Sequence, residues 1–152
     1  MVKPPRVLFV CIGNACRSQM AKGFASHYGS DVLVADSAGV APAMAIPSLT
    51  RKVMLEKNIE LGESIPKGLD LIDVESTEII INMSGYPLEL ETEARVEDWK
   101  IRDPIGEREE IYREVRDQIE QRVMRLILEL RARKPPAAEP VKVDSRRRTP
   151  RS

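Results

Sequence analysis

The stretch Val10-Cys11-Ile12-Gly13-Asn14-Ala15-Cys16-Arg17-Ser18 sets an arginine six positions after a cysteine, with glycine and asparagine between them. A cysteine held as a thiolate is a nucleophile. An arginine offers a planar, two-pronged donor that fits two oxygens of a tetrahedral anion. Glycine and asparagine tolerate positive φ, so a tight loop built on Gly13 and Asn14 can turn several backbone N–H groups inward. Such a nest at a helix N-terminus binds an oxyanion and stabilises a thiolate beside it. The predicted arrangement is Cys11 beneath a phosphate-like anion (phosphate or sulfate), with Arg17 as the clamp. Ser18 is then in reach to donate its hydroxyl to the Cys11 sulfur. The backbone of Ile12, Gly13, Asn14, Ala15, Cys16 and Arg17 is the predicted oxyanion cradle.

Spacing alone is weak evidence in a chain rich in arginine, and cysteine is also a common small core residue. For Cys16, a packing role and a role in capping an oxidised Cys11 stand side by side. The elements around the loop carry the argument. Residues 6–11 (RVLFVC) form an apolar run that reads as a strand buried on both faces. A helix is predicted over 17–28, with Met20, Ala21, Phe24, Ala25 and Tyr28 on one stripe and Gly29 ending it. A strand over 31–38, a helix over 47–58, a short helix over 67–76 and a buried strand over 78–82 follow. Residues 94–99 suit a short fourth strand. The last helix is predicted over 107–134, with Ile111, Val115, Ile119, Val123, Leu126 and Leu130 on one face. Strands alternating with helices imply βαβ units and a parallel sheet.

Asp103-Pro104 falls between the last predicted strand and the last helix. Pro104 holds Asp103 extended. Loops leaving the C-termini of parallel strands share one edge, so Asp103 can reach the Cys11 loop. Its plainer reading is a turn that starts the helix.

The 152 residues, 17.1 kDa, suit one domain. Hydrophobic residues make up 42% and charged residues 32%, a soluble globular balance. The formal net charge is zero, which argues against a nucleic-acid partner. Residues 135–152 carry five basic and two acidic side chains, a net of +3, which leaves −3 on the rest. Pro135-Pro136 stops the last helix. The expected organisation is therefore a catalytic domain over 1–134 and a disordered tail over 135–152. No apolar run suits a membrane helix, and the N-terminal apolar stretch is short for a signal peptide, so no membrane partner and a cytoplasmic location are expected. Two cysteines and one histidine cannot build the usual four-ligand zinc site, so no metal is expected.

VLFVCIGNACRS followed by QMAKGF resembles the phosphate loop of the low-molecular-weight protein tyrosine phosphatases. It is equally similar to that of the arsenate reductases sharing their fold. Ser37-Ala38-Gly39 and Asp103-Pro104 fit the same order, and the resemblance covers roughly residues 5–134. It implies a single α/β domain with a four-stranded parallel sheet, helices on both faces and the phosphate loop after strand 1. It implies Cys11 as nucleophile, Arg17 as oxyanion clamp, Asn14 as the loop's brace, Ser18 as thiolate stabiliser and Asp103 as general acid, with no cofactor.

Two departures pull apart the functions it implies. Phosphatases of this kind carry aromatic residues after the Asp-Pro, whereas Ile105-Gly106-Glu107 stand here; Trp99 and Tyr86 are the candidate substitutes. The reductase branch carries two relay cysteines after the third strand, whereas Ser84 stands about where the first would be and no cysteine follows. The first reading is phosphomonoester hydrolysis through a cysteinyl-phosphate. The alternative is arsenate reduction at the same Cys11 loop with an external thiol. A phosphorylated substrate or a thiol is the expected partner. The third reading is an oxyanion-binding module without catalysis.

Overall fold

The computed structural model describes residues 3–133. The tail expected at 135–152 lies outside the described residues. Strand β1 (Arg6–Cys11) leads through the Cys11 loop into helix α1 (Arg17–Gly29), then β2 (Val34–Gly39) and α2 (Ser48–Leu55). Two single-turn 3-10 helices follow at Leu69–Leu71 and Val74–Ser76, where one short helix was predicted over 67–76. Strand β3 (Ile79–Asn82), strand β4 (Arg95–Asp98) and the long helix α3 (Glu109–Arg133) complete the chain.

The four strands form one parallel sheet in the order β2-β1-β3-β4. The chain leaves β1 to one side for β2 and returns across it to β3. The switch in direction therefore lies at the C-terminal end of β1, the place where open parallel sheets bind ligands. Cys11 is the last residue of that strand and pairs in register with Gly39.

Between Arg6 at the start of β1 and Asn82 at the end of β3 the central strands are apolar because both faces are covered, and β3 is buried at every residue. The edge strand β4 alternates half-buried and exposed side chains. Val7, Phe9, Ile79 and Ile81 face a large core built with α1, α2 and α3. Leu8, Val10, Ala38 and Ile80 face a smaller one, closed by Leu69, Ile72, Leu88, Leu90 and Ala94. The helices predicted on both faces are thus unequal: three α-helices on one side, the two short 3-10 helices on the other.

The predicted stripe of α3 is buried in full, and Arg116 joins it by donating from Nη1 to the Val53 carbonyl and to Glu56. Gly29 is the last residue of α1, with Ser30 as the right-handed cap. A β-carbon on Gly29 would come within 2.7 Å of Ile127, so the residue lets α1 press against α3. Among the described residues, no helix is long and apolar enough to cross a membrane.

Candidate active site

Residues 12–16 run from β1 into the first turn of α1. Asn14 takes φ +50°, the left-handed conformation that asparagine tolerates. Gly13 does not enter that region, so Asn14 alone makes the reversal. Helix α1 begins with no side-chain cap and no acidic residue in its first turn, which leaves its N-terminal N–H groups and their partial positive charge to the loop.

Asn14 braces the loop from inside. Its side-chain oxygen accepts from the Lys67 backbone N–H at 2.9 Å and from Gln19 Nε2 at 3.2 Å. Gln19 Nε2 also donates to the Asn14 carbonyl at 3.1 Å. Asn14 Nδ2 donates to Ser18 Oγ at 2.8 Å. Ser18 Oγ lies 3.0 Å from Cys11 Sγ. Because Asn14 already donates to that oxygen, the Ser18 proton is free to point at the sulfur.

Arg17 is almost wholly buried, and its fork divides in two. Nη1 donates to the Met83 carbonyl after β3 and to the Ile101 carbonyl after β4, the latter at 3.0 Å. Nη2 lies 3.5 Å from Asp103 Oδ2, and the buried Nε has no protein partner. Nε and Nη2 form one edge of the guanidinium, the edge that grips a carboxylate or oxyanion side-on. The inner nitrogen is thus anchored to two strand ends, while the outer edge is left for an anion.

Asp103 sits on the exposed side of that edge. Its Oδ1 accepts the Ile105 backbone N–H at 3.1 Å, a turn closed by its own side chain. The structure therefore brings together Cys11, Asn14, Arg17, Ser18 and Asp103.

Cys16 is buried beneath the loop, and burial pushes its thiol up to about 12. A thiol held protonated is a poor partner for condensing with an oxidised Cys11, so packing is the role the environment favours.

Four further features were not read from the sequence. Gln19 and the Lys67 backbone hold Asn14, as described. Gly39 touches the loop so closely that a β-carbon there would lie 2.6 Å from the Ile12 carbonyl oxygen and 2.7 Å from the Asn14 nitrogen. The Ser-Ala-Gly run was the available signal for that approach. Ser84 is locked in a closed turn: its hydroxyl donates to Asn82 Oδ1 at 2.7 Å and accepts from the Tyr86 N–H at 3.1 Å.

The candidate aromatic walls part company here. Trp99 is only 4% exposed and packs on Phe9 with ring centroids 6.0 Å apart, so it offers little open ring surface to a substrate. Tyr86 is exposed and lines a cleft of about 630 Å³ between the β3 and β4 loops, together with Arg17 and Trp99.

The model of the family described as low molecular weight phosphotyrosine protein phosphatase matches residues 6–135. A protein of Synechocystis sp. named "Glutaredoxin arsenate reductase" is 32% identical over 129 residues, covering 82% of this chain and 98% of its own. A solved structure described as an arsenate reductase in the phosphate binding state superposes with a TM-score of 0.75 at 30% identity, covering 83% of this chain and 98% of that one. An arginine phosphatase from Geobacillus stearothermophilus superposes with a TM-score of 0.74 at 27% identity, covering 86% of this chain and 95% of that one.

Proposed function

The chain belongs to the low molecular weight phosphotyrosine protein phosphatase family, a family of cysteine-dependent phosphatases and arsenate reductases, and from that premise we propose that it reduces arsenate at the Cys11 loop with an external thiol. One observation carries the choice. The cradle and the outer edge of Arg17 suit a bare tetrahedral oxyanion, while two of the segments bordering them, residues 40–47 and 103–107, hold no aromatic side chain, which leaves Tyr86 as the one exposed ring near Arg17 and no facing pair to sandwich a phosphotyrosine. Relatives named arsenate reductases, found at 32% identity, support the same reading over the phosphatase one.

The Cys11 thiolate attacks arsenic and forms a sulfur–arsenic bond. Arsenate loses one oxygen as water, with Asp103 as the proton source. Backbone N–H groups from Ile12 to Arg17 and the Arg17 edge neutralise the remaining oxygens. An external thiolate then attacks the Cys11 sulfur. A disulfide forms, the sulfur–arsenic bond breaks and its electron pair stays on arsenic, which leaves as arsenite. A second thiol reduces that disulfide and restores Cys11. Two thiols thus supply the two electrons. Asn14 and Ser18 hold the loop and the sulfur throughout.

Phosphomonoester hydrolysis remains the second reading, favoured by Asp103 beside Arg17, where an acid could serve a leaving oxygen. The experiment runs both reactions on wild type and Cys11→Ser. Arsenite release from arsenate and dithiothreitol, lost in Cys11→Ser, is the expected result. Turnover of p-nitrophenyl phosphate at ~1 per second or faster, without arsenite release, would overturn it in favour of the phosphatase.

A further inference from the structure

The brace behind the Cys11 loop does not end at Asn14. Residue 67 joins the end of β2 through a single parallel bridge between Gly39 and Gly68. Its backbone is used on both sides: the Lys67 N–H donates to Asn14 Oδ1 at 2.9 Å, and the Lys67 carbonyl accepts the Gly39 N–H at 2.9 Å. The Lys67 side chain then turns back to β2, where Nζ lies 2.8 Å from Asp36 Oδ1. Asp36 is itself fixed. Its Oδ1 accepts the Ser37 N–H at 2.8 Å, and Lys22 Nζ from α1 stands 3.8 Å from the same oxygen. Burial works against the Asp36 carboxylate, yet Lys67, the Ser37 N–H and Lys22 together hold it below the ordinary carboxylate value. One path of contacts therefore runs from Asp36 through Lys67, Asn14 and Ser18 to the Cys11 sulfur.

We propose that the Asp36–Lys67 ion pair is a positioning device for the Cys11 thiolate, acting through Asn14. Any residue at 67 could donate its backbone N–H, so that contact does not explain a lysine. Among the described residues the Lys67 ammonium pairs with Asp36 and with no other carboxylate. Both side chains are about one-third exposed, at 33% and 29%, and a pair so open to water adds little to stability. Its effect is on geometry. Asn14 holds the reversal of the loop at φ +50° and needs its side-chain oxygen fixed there. The Lys67 N–H is the shorter of the two contacts to that oxygen, against 3.2 Å from Gln19. With the lysine untethered, Asn14 is free to turn, its Nδ2 leaves Ser18, and the Ser18 proton no longer points at the sulfur. The thiolate loses a hydrogen bond that favours the charged form. The inference rests on one part of the reading above, Cys11 as the nucleophile, and not on which anion Cys11 attacks.

The test measures alkylation of Cys11 by iodoacetamide, a neutral reagent that surface charge does not steer, at neutral pH on the full chain. Asp36→Asn, Lys67→Met and the double variant are compared with wild type, with Lys22→Met and Lys67→Arg as controls. Charge acting through space and positioning predict different signs. Loss of a nearby carboxylate would by itself stabilise the thiolate and speed labelling, whereas loss of a nearby ammonium would slow it. Positioning slows both single variants, by roughly threefold or more for a weakened hydrogen bond to the sulfur. The double variant should be no slower than the slower single one, because the two changes remove one shared interaction. Lys67→Arg still reaches Asp36 and should keep the wild-type rate, as should Lys22→Met. Opposite changes in Asp36→Asn and Lys67→Met, unchanged rates in both, or equal slowing in Lys22→Met would overturn the proposal. The label needs no arsenate, so failure to make arsenite bears on the reaction and leaves this result standing.

Discussion

Ser18 Oγ stands 3.0 Å from Cys11 Sγ while accepting a hydrogen bond from Asn14 Nδ2. The asparagine thus fixes which way the serine donates. A hydrogen bond to a charged group contributes about 1.5–3 kcal/mol. Ser18→Ala should therefore slow alkylation of Cys11 by iodoacetamide at neutral pH by about tenfold to a hundredfold. Asn14→Ala should act in the same direction, because it frees the Ser18 hydroxyl to turn away. Unchanged labelling rates in Ser18→Ala would remove the thiolate-stabilising role.

Arg17→Lys keeps the charge and loses the fork. A lysine cannot hold the Met83 and Ile101 carbonyls and still present two donors outward. Arsenate turnover should fall by about 10²–10³-fold, the usual effect of removing a preorganised oxyanion donor. Phosphate binding followed by calorimetry should weaken in parallel.

Burial holds the Cys16 thiol up at about 12, so it carries almost no thiolate at neutral pH. Intact-mass measurement after iodoacetamide treatment at pH 7 should show one adduct. Cys16→Ser should keep that adduct and Cys11→Ser should lose it. A second adduct on the folded wild type would contradict this.

Gly39→Ala places a β-carbon against the backbone of the loop, where no flexible side-chain end can move aside. Overpacking of this kind costs about 1–3 kcal/mol. Phosphate affinity should drop at least tenfold with the far-ultraviolet circular dichroism retained. Wild-type affinity would show that the loop tolerates the intrusion.

Glu56 ties α2 to α3 through Arg113 and Arg116, and those guanidinium groups pull its carboxyl down to about 2 from an ordinary 4.5. A folded-state value below the unfolded one means that the stabilisation is complete above about 4.5 and is lost as pH falls toward 2. Glu56→Gln should melt below wild type at pH 7, and the gap should close across that acidic window. A gap independent of pH would assign the effect to packing.

Much of this molecule was legible before any coordinates. The apolar runs of β1 and β3, the stripes on α1 and α3, and the Cys11-to-Ser18 loop are local patterns, and local patterns report periodicity and turn chemistry directly. The roles open to Asp103 followed from where loops must gather at the edge of a parallel sheet. Other features were misread for equally physical reasons. Residues 67–76 hold Gly68 and the β-branched Ile72 and Val74, poor helix formers, and they settle into two 3-10 turns, with Leu69 and Ile72 against the thinner face. Gly29 does end α1, but what it makes room for is Ile127, far along the chain, which no local pattern reports.

The sequence by itself determined the reactive loop and the strand-helix frame, because cysteine, glycine, asparagine and arginine act there through neighbours only a few residues away. Only the tertiary structure decided what surrounds that loop. Arg17 Nη1 is held by two carbonyls 66 and 84 residues distant, which leaves the other edge of the fork for an anion. Trp99 is sealed against Phe9, and the six apolar residues after β2 face water. An apolar run reads alike whether it is buried or bare. What differs is the element standing opposite, and that is set by packing across the whole fold.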